Sequence, residues 1–148
     1  MRSYDQVYDF TGFTIEARHL FKQNNQELDF FGLDVGLDLD MYSKLDTIGA
    51  LKVFTVRDDG ELIGYCTFII QKHLQHKEHK QASQDVLFIQ KDKRGYGTEF
   101  MKWCDSQLKE SGISFVFRSV TQIKDWSLIL KRLNYKQMET IYMKDLRE

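Results

Sequence analysis

Residues 84–108 limit what this chain can become more than any other stretch, because they change conformational preference twice. Val86-Leu87-Phe88-Ile89 is a run of β-forming apolar residues too short for a helix, which predicts a strand. Lys91 to Gly97 mixes charge with Gly95 and Gly97, which predicts a tight turn. From Thr98 the apolar residues Phe100, Met101, Trp103, Cys104 and Leu108 fall on one stripe of a helix. A helix entered from a glycine turn presents unpaired backbone N–H groups and the positive end of its dipole. Gly95 and Gly97 let backbone approach a ligand, and Lys91, Lys93 and Arg94 add positive charge. The sum is a pocket for an anion, most simply a phosphate. No Lys-Ser/Thr pair follows the turn, which argues against a P-loop ATPase.

The rest of the chain reads as follows. Residues 1–10 suit a short edge strand or ordered arm, and residues 12–25 a helix with Phe13, Ala17, Leu20 and Phe21 on one stripe and Thr11 as its cap. Residues 27–46 interleave apolar side chains with Glu27, Asp29, Asp34, Asp38, Asp40 and Asp46. We read a loop to about Leu39, then a short helix to about Ile48 capped by Asp38 or Asp40. Two readings of the acids stand side by side: a solvated face, or a wall that attracts a cationic amine. Leu51–Val56 and Glu61 to about Gln71 are strands joined at Asp59-Gly60, and Gly64 marks a bulge or a close backbone approach. Lys72–Lys80 reads as a polar connection, and the spacing of His73, His76 and His79 does not make a metal site. A histidine there could still accept an amine proton. Ser111-Gly112 ends the long helix. A strand over Ile113–Val120, a helix over Lys124–Leu133 and a last strand over Tyr135–Lys144 complete a mixed α/β sheet with helices on both faces.

Arg94-Gly95-Tyr96-Gly97-Thr98 resembles the Arg-Gly-x-Gly-x core of the GNAT acyl-CoA N-acyltransferases, with Asp92 at the preceding Gln/Arg position of their signature. Leu130-Lys131-Arg132-Leu133-Asn134-Tyr135 is similar to that family's Tyr-Glu-Lys-Leu-Gly-Phe. Small acetyltransferase-like proteins of phages carry Asp-Val-Leu-Tyr and Glu-Thr-Ile-Tyr. This chain has Asp85-Val86-Leu87-Phe88 and Glu139-Thr140-Ile141-Tyr142 in those places. The resemblance implies a GNAT-like, mostly antiparallel sheet in one domain spanning residues 1–148, with acetyl-CoA as co-substrate and no metal. It implies a diphosphate on the amides of Lys93, Arg94, Gly95, Tyr96, Gly97 and Thr98. It also implies a pantetheine arm along Val86, Leu87, Phe88 and Ile89.

For chemistry, the resemblance makes Asp85 the candidate general base. The usual tyrosine acid of the family falls on Leu130, which leaves Tyr135 and Tyr142 as candidate acids. Lys124 and Asp125 stand where the family has an asparagine. Two functions follow: transfer of an acetyl group to an amine acceptor bordered by residues 27–46, or a catalytically silent module that binds CoA or a protein. A homodimer through an edge at Ile141-Tyr142-Met143 fits the same plan. A net charge of −1 argues against a general nucleic-acid binder. No apolar run is long enough to span a membrane, and Cys66 and Cys104 read as buried thiols, so a cytoplasm is the expected setting, that of the host if a phage encodes the chain.

Overall fold

Strand β2 (Leu51–Asp58) alternates apolar residues so that Leu51 and Val53 pack on one face of a sheet and Phe54 and Val56 on the other. The computed structural model describes residues 1–147. In it, β1 (Arg2–Gln6), β2, β3 (Glu61–His73), β4 (His76–Ile89) and β5 (Phe115–Phe117) lie side by side in chain order. Each of the first four runs antiparallel to its neighbour, and β5 runs parallel to β4. Helices α1 (Phe10–Glu16), α2 (Arg18–Leu28) and α3 (Leu39–Thr47) cover the Leu51 face. Helix α4 (Gly97–Glu110) covers the other, burying Phe100, Met101, Cys104 and Leu108, and α5 (Ser127–Arg132) packs beside it through Ile129 and Leu130. This is the mixed, mostly antiparallel sheet with helices on both faces that the sequence predicts.

Several boundaries differ, each for a local reason. The helix expected over residues 12–25 is two helices meeting at Ala17, a fully buried corner with φ −86° and ψ 1°. Its cap is the Asp9 side chain, which accepts from the Gly12 N–H, rather than Thr11. The supposed connection Lys72–Lys80 is the tip of the β3–β4 hairpin, with Lys72 paired to Lys80 and His73 to His76. Ladder bonds come from the backbone, and both faces of this tip meet water, so no apolar alternation marks it. Strand β4 therefore begins ten residues before the apolar run that announced it. The last strand, expected over Tyr135–Lys144, is not formed in the single chain; Met138, Ile141, Tyr142 and Met143 are exposed. Side-chain alternation supplies a pattern but no ladder partner. Ile141–Met143 therefore pairs with no strand of its own chain.

Two bulges decide which way side chains point. At Asp59-Gly60 both residues have positive φ, as a two-residue hairpin turn requires. Just beyond it the β2–β3 register shifts between Val56 and Arg57, opposite Gly64. A Cβ on Gly64 would lie 2.7 Å from the Phe88 carbonyl oxygen, so only glycine fits. The second shift, in β3–β4, is at Asp85.

Candidate active site

Thr67 pairs with Val86 and Phe68 with Gln84, so Asp85 is the extra residue of β4. A bulge puts two consecutive side chains on one face, here Asp85 and Val86, both turned toward α1–α3. The Thr67 hydroxyl repairs the broken ladder: it accepts from the Val86 N–H at 3.1 Å and donates to Asp85 Oδ2 at 2.9 Å. The Tyr42 hydroxyl, carried in by α3, donates to the same oxygen. Burial, and then the Asp85 carboxylate, push the Tyr42 phenol well above its ordinary range. Tyr65 beside them is pushed up too, by burial first and then by Tyr42 and Asp85. Asp85 is itself exposed, because the bulge lifts it out of the strand.

At the same point the sheet opens. Pairing between β4 and β5 spans only Gln81–Ser83 and Phe115–Phe117, after which β4 runs on to Ile89. The Val86 N–H and the Gln90 N–H, which bonds to the Ile63 oxygen at 2.8 Å, both point to β3. Amides alternate along a strand, so those of Leu87 and Ile89 point into the opening. A cavity fills it, lined by Val86, Leu87, Met101, Arg118, Lys124 and Trp126 among others. A second cavity lies under α1–α3, and the two share Asn24, Leu28, Asp85 and Val86.

The basic turn after β4 is a 3-10 helix, Lys91–Tyr96, and α4 begins at Gly97 rather than Thr98. Its geometry consumes part of the expected amide cradle: the Lys93 N–H donates to the Gln90 oxygen at 2.8 Å, and the Gly97 N–H to the Arg94 oxygen. The cations are engaged as well. Lys93 pairs with Asp58 at 3.0 Å. Arg94 bonds the Ile89 carbonyl at 3.1 Å through Nε and both Glu27 oxygens through Nη2. Lys124 reaches the same Glu27 at 2.5 Å. Burial pushes the Glu27 carboxyl up, but the hydrogen bonds and charges of Lys124 and Arg94 outweigh it and hold the group low.

The structure brings Asp85, Val86 and Leu87 to the junction, with Ile89 and Arg94 at the far end of the same edge. Phe88 turns to the opposite face, buried against Tyr65. Tyr96 lies under the Arg2 guanidinium, 4.3 Å from its ring centre. Neither Tyr135 nor Tyr142 lines either cavity. Tyr142 is exposed, and Tyr135 is held between Arg118 Nε, which donates to it at 2.9 Å, and Asp105, to which it donates at 2.8 Å. Among the described residues no three His, Cys, Asp or Glu side chains group so as to hold a metal ion.

No protein-family model matches this sequence, and no curated protein sequence does. Solved structures do match. An aminoglycoside acetyltransferase from an uncultured soil metagenomic sample, in complex with sisomicin, superposes with a TM-score of 0.73 at 16% identity over 99% of this chain and 97% of that one. A ribosomal-protein-alanine N-acetyltransferase from Brucella melitensis gives 0.73 at 14% identity over 97% and 99%. A predicted acetyltransferase with acetyl-CoA from Clostridium acetobutylicum gives 0.71 at 13% identity over 99% and 97%. The chain has the GNAT fold. Within this GNAT fold, sequence reasoning missed Tyr42, Thr67 and Lys124 as members of the candidate site, and it read Glu27 as part of an acidic wall where the structure pairs it with Arg94 and Lys124. No local signal marks them, because each finds its partner 18 residues or more away in the chain. The acids of residues 27–46 drew notice to the segment, but it is Tyr42, on the inward side of α3, that reaches Asp85.

Proposed function

We propose that the protein is an N-acyltransferase that moves an acetyl group from acetyl-CoA to an amine by direct transfer. The observation that carries this reading is the Asp85 bulge: one carboxylate stands where a cavity along an open strand edge meets a second cavity. The acetyltransferases that share the fold add support. The residues suit such a substrate. Inward amides of Leu87 and Ile89 match the amide-rich pantetheine arm. Lys93, Arg94 and Lys124 match a diphosphate, and a Cβ on Gly95 would meet nothing within 4 Å, so the turn is open there.

Asp85 takes a proton from the acceptor ammonium, freeing its lone pair to attack the thioester carbon. A Leu87 or Ile89 N–H steadies the charge that develops on the carbonyl oxygen. The C–N bond forms and the C–S bond breaks; Asp85 returns its proton to the departing sulfur, and the acylated nitrogen gives its second proton to water. Thr67 and Tyr42, both donating to Asp85, keep its carboxylate aimed at the junction. This scheme asks nothing of Tyr135 or Tyr142.

The test is calorimetric titration with acetyl-CoA, followed by thiol release with an amine panel. Wild type should bind saturably and Gly95→Trp at least about tenfold more weakly, since its side chain covers the turn. Wild type that does not bind acetyl-CoA overturns the reading. One observation favours the silent alternative: Glu27 already pairs with both Arg94 and Lys124 and offsets part of their charge. That alternative predicts no thiol release with any amine.

A further inference from the structure

We infer that the acceptor is a small aromatic amine with one positive charge, its ring in the cavity under α1–α3 and its ammonium group on Asp85. The inference rests on the acyltransferase reading for the reaction, and on separate observations for the substrate class. The rings of Phe10, Phe13, Phe21, Phe30, Tyr42 and Tyr65 line this cavity. Several already meet edge to face: Phe21 and Tyr65 lie 5.3 Å apart at 83°, and Phe13 and Tyr65 5.6 Å apart at 65°. A further aromatic ring would extend that arrangement.

Charge decides the rest. Asp85 is the one acid among the lining residues. The acids expected to form a cationic wall are elsewhere: Asp29, Asp34, Asp38, Asp40 and Asp46 are all exposed, and Asp38 is used as the cap of α3, accepting from the Met41 N–H at 3.0 Å. The same segment lines the cavity with Phe30, Val35 and Leu37 instead, Phe30 and Val35 keeping a face open to solvent. Two of its polar liners are committed, Asn25 to the Leu33 carbonyl at 3.0 Å and Thr67 to Asp85. A polyamine or an aminoglycoside would bring several charges or hydroxyls into an apolar space with one acid to receive them. Each unmatched polar group costs binding free energy. One ammonium on one carboxylate, with an apolar ring behind it, leaves none unmatched. Asp85 also lines the first cavity, so an amine held there faces the open edge of β4.

The experiment is calorimetric titration of the full chain with 2-phenylethylamine, ethylamine, spermidine and kanamycin, with thiol release from acetyl-CoA measured for each. We expect 2-phenylethylamine to bind at least about tenfold tighter than ethylamine, from burial of its ring. Phe30→Ala should remove much of that difference; Phe30 is an exposed loop residue outside both cores, so its loss leaves the fold intact. Equal binding of 2-phenylethylamine and ethylamine, or tighter binding of spermidine or kanamycin, overturns the inference. Thiol release with spermidine but not with 2-phenylethylamine overturns it too, and leaves the acyltransferase reading standing. Tight binding of 2-phenylethylamine without thiol release from any amine supports the cavity assignment and overturns the acyltransferase reading.

Discussion

Asp85 owes its position to an unpaired place in the ladder, and its orientation to two hydroxyls. Replacing it with asparagine keeps the size and removes the base. In the proposed reaction Asp85→Asn lowers kcat by about 10²–10⁴-fold, the range of a general base, while acetyl-CoA binding stays within twofold. Thiol release beside calorimetry reads both. Gly64 is the other single residue on which the strand geometry turns. Gly64→Ala drives a Cβ to 2.7 Å from the Phe88 carbonyl oxygen, a backbone atom that cannot rotate away. We expect a loss of about 1–3 kcal/mol in urea unfolding, as for other overpacked sites. Both consequences need the register of neighbouring strands. Sequence marked Gly64 as a bulge or close approach because glycine inside an apolar strand has few other uses. It marked Asp85 only through resemblance.

Between elements, Glu27 ties α2 to the turn after β4 and to the connection after β5, through Arg94 and Lys124. Its folded pKa lies below its ordinary 4.5. A depressed carboxyl stabilises the fold fully above its unfolded pKa, and that contribution is lost as the pH falls through the lower folded value. Wild-type stability should therefore drop below about pH 5, and Glu27→Gln should flatten that limb in urea melts taken across pH. The same variant frees two cations beside the open edge of β4. If they serve a diphosphate, Glu27→Gln binds acetyl-CoA more tightly than wild type at low salt, and the gain shrinks as salt rises. The strand–turn–helix succession here was legible from spacing. The ion pairs were not, since their members lie 30 residues or more apart.

At the scale of the whole molecule, Arg118 joins pieces of chain that share no sequence signal. Its side chain is 1% exposed, and it bonds Asp105 of α4 at 2.8 Å, Gln84 of β4 at 2.8 Å and the Tyr135 hydroxyl at 2.9 Å. Burial alone would pull its pKa down; the groups around it, Cys66, Tyr135 and Asp105 among them, hold it above its ordinary value and keep it charged. Arg118→Met leaves Asp105 and Tyr135 without their partner. Breaking such a buried pair costs about 3–5 kcal/mol, and exposure of Asp105 puts the expected loss at the lower end. A urea midpoint shift without a change in slope would confirm that the fold is kept.

Periodicity was enough for the strands at Leu51 and Glu61, the hairpin at Asp59-Gly60, the long helix after the glycine turn and the class of fold, because each follows from which neighbouring residues can be buried together. It failed at the His73–His76 hairpin, whose ladder is backbone alone, and at Tyr135–Lys144, whose alternation finds no partner strand. It also could not say that Tyr42 of residues 27–46 turns inward to Asp85 while the aspartates of that segment stay exposed, or that β4 and β5 part beyond Ser83. Those are outcomes of register and packing, which depend on what lies across the sheet and not on what lies next in the chain.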